Sequence, residues 1–149
     1  MALEDEIKQN QFISEHQKAA INILFTGSWL HQINANFLKP FEITPEQFNV
    51  LRILRGSHPN KLMLAEVTAR MLDKNSNCTR LVEKLRLKGL LTRTISQQNR
   101  RQVEIQITQK GLSLLKEIDS QEGLWPSLLK TLTAEEAKNL NYLLDKLRG

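Results

Sequence analysis

Between residues 76 and 107 the apolar residues change from a helical repeat to a strand repeat, and few architectures accommodate that switch in so short a stretch. Placed at 100° steps, Cys78, Leu81, Val82 and Leu85 fall on one face of a helix. Ser76, Thr79, Arg80, Glu83 and Leu87 fall on the other, with Asn77 and Lys84 flanking. Ser76 is placed to cap this helix, which runs to Lys88, and Gly89 stands where helices end in a left-handed glycine. From Leu91 the repeat is two. Leu91, Arg93 and Ile95 precede the polar tip Ser96 to Arg101, and Val103, Ile105 and Ile107 alternate with Gln102, Glu104 and Gln106. That pattern predicts a hairpin with a polar, basic loop. A shorter helix precedes the amphipathic one: Leu64 to Met71 is apolar at Leu64, Val67, Thr68 and Met71, and Leu72 to Asn75 reads as a tight connection. Helix, turn, helix and hairpin in that order predict a winged helix-turn-helix.

Longer helices flank this centre. Ser14-Glu15-His16-Gln17 offers a capping box, and after it Ile21, Phe25, Trp29, Ile33 and Phe37 recur every four residues until Lys39-Pro40. Thr44, Pro45 and Gln47 open the next helix, with Ile43 and Phe48 as a hydrophobic staple, Leu51 and Leu54 on the buried face, and Gly56 to Pro59 ending it. After the hairpin, Thr108 caps a helix bearing Leu112, Leu115 and Ile118. Gly123 and Pro126 interrupt the pattern near Trp125, and the box Thr133 to Glu136 opens a last helix with Leu140, Leu143, Leu144 and Leu147. The expected fold is mainly α with a small β-hairpin wing, in the order α-α-α-α-β-β-α-α. It is one domain over residues 1–149, with a DNA-binding winged-helix lobe at about 44–110 and dimerisation helices at about 14–39 and 109–147. The outer helices have little nearby sequence to cover their apolar faces. A second copy would cover them by twofold symmetry; folding back on their own centre is the simpler alternative.

Charge follows the same division. Residues 44–110 carry 13 Lys and Arg against 5 Asp and Glu, whereas the chain as a whole has a net charge of +5. A basic centre between slightly acidic ends suits one polyanion-facing module on a scaffold. No apolar run is long enough to span a bilayer, and the acidic, polar start lacks the order of a secretion signal, so no membrane association and a cytoplasmic location are expected. The lone Cys78 excludes an internal disulfide and is most simply a small apolar side chain in the buried stripe. His16, His31 and His58 match no metal spacing, and the chain has neither a glycine-rich phosphate loop nor an evident base beside its cysteine. No metal, cofactor or enzymatic activity is expected.

The residues Ser76-Asn77-Cys78-Thr79-Arg80-Leu81-Val82-Glu83-Lys84-Leu85, followed by Lys88-Gly89-Leu90-Leu91, resemble the recognition helix of MarR-type transcriptional regulators. Asn99-Arg100-Arg101-Gln102-Val103 and Ile107-Thr108-Gln109-Lys110-Gly111 resemble that family's Asp-x-Arg wing and the opening of its fifth helix. Leu132 to Glu136 with Tyr142-Leu143-Leu144 is similar to its C-terminal dimerisation helix. The resemblance covers roughly residues 15–147. It implies a homodimer with two winged-helix lobes that represses transcription from a pseudo-palindromic operator and is released by a small aromatic or oxidising effector. By position, Ser76, Asn77, Thr79 and Arg80 would face the major groove, with Lys84 flanking them, and Arg100 and Arg101 would lie over the minor groove. Asn99 departs from the family's aspartate, which removes a charged Asp–Arg brace from the wing. Cys78 lies inside the recognition helix, away from the first helix, where the family's peroxide-sensing cysteine sits.

The residues themselves support the same site. Short side chains around Arg80 let a helix backbone approach base edges, and Arg bonds guanine or phosphate. Phe25 and Trp29 are candidates for an effector pocket, although aromatics at helical spacing also serve as packing. The competing function is a winged-helix protein–protein adaptor, from which steeply salt-dependent DNA binding would distinguish a regulator.

Overall fold

Side-chain caps open five of the helices in the computed structural model of the chain, which describes residues 1–121 and 130–149. These fall into two compact units, Met1–Phe48 and Asn49–Gly149. In the first, a short helix α1 (Leu3–Ile7) precedes the 24-residue α2 (Glu15–Leu38). Ser14 Oγ accepts the Gln17 amide at 3.2 Å, and the Gln17 side chain reaches back to the Ile13 amide at 2.7 Å. The two helices are tied by an ion pair between Glu4 and Lys18, and Leu3 is buried. At Pro40 the chain tightens into a 3₁₀ turn, Lys39–Phe41, and Phe41 packs against Phe37 with ring centroids 6.0 Å apart. The next helix, α3 (Pro45–Ser57), opens on a reciprocal box. Gln47 N–H donates to Thr44 Oγ1 at 3.2 Å, and Thr44 N–H donates to Gln47 Oε1 at 3.1 Å. Ile43 and Phe48 are both buried, as a staple requires.

In the second unit, β1 (Leu62–Met63) leads directly into α4 (Leu64–Arg70), followed by α5 (Cys78–Leu87) and the hairpin β2 (Leu91–Ile95) and β3 (Val103–Ile107). Two helices close the chain, α6 (Gln109–Ser120) and α7 (Ala134–Arg148). The sheet is antiparallel in the order β1-β3-β2, with Leu62 opposite Ile105 and Leu91 opposite Ile107. Leu51, Leu54, Val67, Met71, Val82, Leu85, Leu91, Ile105 and Leu115 are almost wholly inaccessible. α5 ends in a Schellman motif: Gly89 has φ 72°, its N–H donates to Arg86 O at 2.9 Å, and Leu90 N–H donates to Leu85 O at 3.0 Å. Thr108 then joins this end to the start of α6. Its N–H donates to Leu90 O at 3.1 Å, its hydroxyl donates to Gly89 O at 2.7 Å, and the same oxygen accepts the Gly111 amide at 3.1 Å.

The element order expected between residues 14 and 120 is present, and the last helix opens at the expected box, where Thr133 and Glu136 bond reciprocally. The differences are local. α1 and β1 are additional, and β1 turns the expected hairpin into a three-stranded sheet. The cap of α5 is Asn77, one residue beyond the expected Ser76, because the Asn77 side chain accepts the Arg80 amide at 3.1 Å. On β2 only Leu91 is buried; Arg93 and Ile95, which follow it at the same period of two, are exposed, β2 being the outer strand beside β3. The expected interruption at Gly123, Trp125 and Pro126 lies outside the described residues.

Candidate nucleic-acid interface

α5 is amphipathic for a simple reason: its apolar residues recur at helical spacing and its polar ones fill the remaining arc. Cys78, Val82 and Leu85 are buried, whereas Thr79, Arg80, Lys84 and Leu87 are exposed. Arg80 stands in the first turn beside the short Thr79, and among the described residues it makes no ion pair. The helix's one carboxylate, Glu83, is held by Arg86 through bonds of 3.0 and 2.7 Å. Those bonds, with the charges of Arg86 and Arg93, lower the Glu83 carboxyl from its ordinary value, and the Glu83 carboxylate in turn raises the Arg86 guanidinium. A polyanion approaching this face therefore meets cations and a neutralised acid.

The hairpin tip is closed by backbone and side-chain bonds. Beyond the last rung, Ile95 opposite Val103, Ser96 N–H donates to Gln102 O at 2.9 Å, and Gln102 N–H donates to Asn99 O at 2.9 Å. The Asn99 side chain accepts the Arg101 amide at 3.1 Å. Arg100 and Arg101 are exposed on this turn.

The residues singled out in the sequence thus separate into groups. Thr79, Arg80 and Lys84 lie exposed along one side of α5, while Arg100 and Arg101 sit together on the wing of the same unit. Asn77 caps α5, so its carboxamide oxygen is already engaged. Ser76 stands just before the cap, with its hydroxyl oxygen shielded from solvent and no hydrogen-bond partner among the described residues. Phe25 and Trp29 belong to the other unit, where with Leu3, Glu4, Lys18 and Asn22 they line an open cleft of about 450 Å³ between α1 and α2. Two features escaped sequence reasoning. Arg93, read as part of the hairpin's period-two pattern, is an exposed cation on the outer strand of the sheet; the charged residue inside that pattern was the signal. The other is the turn-forming role of Asn99, for which the signal was an asparagine inside the polar tip Ser96 to Arg101. Among the described residues no group of three or more His, Cys, Asp or Glu is placed to hold a metal, and no helix is long and apolar enough to cross a membrane.

Comparison with known proteins agrees with this geometry. The sequence pattern of the MarR family matches residues 43–103. The multiple antibiotic resistance protein MarR of Salmonella typhimurium is 30% identical over 114 residues, covering 75% of this chain and 78% of the relative. The HTH-type transcriptional regulator MhqR of Bacillus subtilis is 30% identical over 108 residues, covering 70% of this chain and 72% of the relative. Among solved structures, a mutant of Escherichia coli MarR complexed with operator DNA superposes with a TM-score of 0.81 at 25% identity, covering 93% of this chain and 99% of that one.

Proposed function

The chain belongs to the MarR family, and on that premise we propose that it is a homodimeric, sequence-specific regulator that represses transcription from a pseudo-palindromic operator in double-stranded DNA. It is a transcriptional regulator and not an enzyme. The observation that carries the proposal is the exposed face of α5: a short threonine beside an exposed Arg80, with Lys84 further along and the only acid neutralised. Such a face fits the major groove, where Arg can bond two acceptors of guanine at once. The paired arginines of the wing suit phosphates and the minor groove, where attraction to charge outweighs base reading. We assign direct contact to Thr79, Arg80, Lys84, Arg100 and Arg101; Asn77 caps the helix start and the Ser76 hydroxyl before it is shielded, so these two are assigned to holding that start and not to contact.

The dimer reading is supported by two exposed apolar faces among the described residues, one in each unit. Leu24 and Trp29 of α2 are exposed, and α7 buries none of its residues while presenting Leu140, Leu143 and Leu147. A second copy would remove this surface from water. The aromatic cleft at Phe25 and Trp29 is the proposed seat of a small aromatic effector.

Sedimentation at micromolar concentration should give a species of twice 17.2 kDa. Titration of that species with mixed-sequence duplex should show affinity falling steeply with salt. A 17.2 kDa species alone contradicts the dimer, and salt-insensitive or absent duplex binding favours a protein–protein adaptor. Repeating the titration with a panel of small aromatic compounds tests the cleft: release of DNA that is lost in Trp29→Ala supports it, and no release by any compound removes it.

A further inference from the structure

Arg100 and Arg101 occupy the two central positions of a hydrogen-bonded turn that begins at Asn99 and ends at Gln102. Asparagine favours the first position of such a turn because its short side chain can accept a main-chain N–H two residues on. Here Asn99 Oδ1 does so, accepting the Arg101 amide at 3.1 Å. Asn99 is also anchored toward the base of the wing. Its own N–H donates to Ser96 Oγ at 3.4 Å, and Ser96 is 1% exposed with its N–H bonded to Gln102 O. The tip is thus built from a buried serine and a neutral asparagine, and both guanidiniums are left exposed.

We infer that Asn99 is a positioning residue for binding nucleic-acid phosphates: an uncharged acceptor that fixes the backbone carrying Arg100 and Arg101 and cancels neither charge. A carboxylate at this position would accept the same amide but set a negative charge beside the arginines. An apolar residue would leave the charges intact and remove the acceptor. Geometry and charge can therefore be separated by two substitutions at one residue. The inference rests on the DNA-binding reading above and adds to it the device that orders the wing before DNA arrives.

The test compares the unaltered protein with Asn99→Asp and Asn99→Ala, titrated on one mixed-sequence duplex across a series of KCl concentrations, with melting temperature and exchange of the Arg101 amide measured on each. Asn99→Asp should keep the slowly exchanging amide and show a salt slope shallower by about 0.9, the contribution of one phosphate contact. Asn99→Ala should lose the slow exchange and bind about three- to tenfold more weakly, the worth of one hydrogen bond, at nearly the original slope. Melting temperatures should stay together, since the turn lies at an exposed tip. Asn99→Ala binding as tightly as the unaltered protein, or Asn99→Asp keeping the full salt slope, overturns the inference while leaving DNA binding intact. An unaltered protein that binds no duplex overturns both.

Discussion

Arg80→Ala should weaken binding to the best operator sequence by about 1–3 kcal/mol, roughly five- to 150-fold, and flatten preference at one or two base pairs. Arg80 is exposed in the first turn of α5, and among the described residues no acid competes for its guanidinium. Losing it should therefore remove the proposed base contact without leaving an acid unpaired. Arg101→Ala is expected to behave differently. It should weaken binding to matched and scrambled duplexes alike, with a salt slope shallower by about 0.9 and unchanged preference in the major groove. Titrating both variants against both duplexes at several salt concentrations checks the division. Equal losses for the two variants on both duplexes would show that helix and wing do not divide the work.

Gly111→Ala should cost more stability than the same substitution at any other described glycine. A Cβ at Gly111 would lie well inside contact distance of the Leu90 carbonyl oxygen and 2.7 Å from Ile107 Cγ1. Neither neighbour can yield easily: Leu90 O already accepts the Thr108 amide at 3.1 Å, and Ile107 is buried at the end of β3. Overpacking of this kind costs about 1–3 kcal/mol, and the involvement of main chain points to the upper end. For a chain of this size, that corresponds to a fall in Tm of roughly 6–12 °C. Gly56→Ala is the matched control. It lies near the end of α3 with nothing within 4 Å of the added carbon, so it should be neutral or stabilising by up to about 1 kcal/mol. Thermal unfolding of the two variants separates close approach from a general effect of glycine replacement, and equal melting temperatures would contradict the packing described at the start of α6.

What could be read in advance follows the range of the interactions involved. The boxes at Thr44 and Thr133 and the cap at Thr108 are made by residues three apart, so their chemistry is written in the local sequence. The change of period across residues 76–107 was legible for the same reason. β1 was not: two residues cannot display a repeat, and Leu62–Met63 becomes a strand only by pairing with residues more than 40 positions away. The exposure of β2 was hidden because alternation shows which residues share a face and not which strand lies at the sheet's edge. At the site, the helical period separated Thr79 and Arg80 from the buried Cys78 and Val82. It could not decide between Ser76 and Asn77 as the cap, since both are good cap residues and the choice depends on backbone geometry. Nor could it show that a neutral asparagine would close the wing, because the expectation there concerned charge and the answer lies in a main-chain amide.

In the proposed mode of binding, a twofold protein reads duplex DNA with one α5 from each copy. Selection of bound sequences from a random duplex pool tests it most directly. Enrichment of an inverted repeat is expected, with half-sites about one helical turn, or 10 bp, apart centre to centre. Enrichment of a single unpaired half-site, or no enrichment over the starting pool, would contradict it.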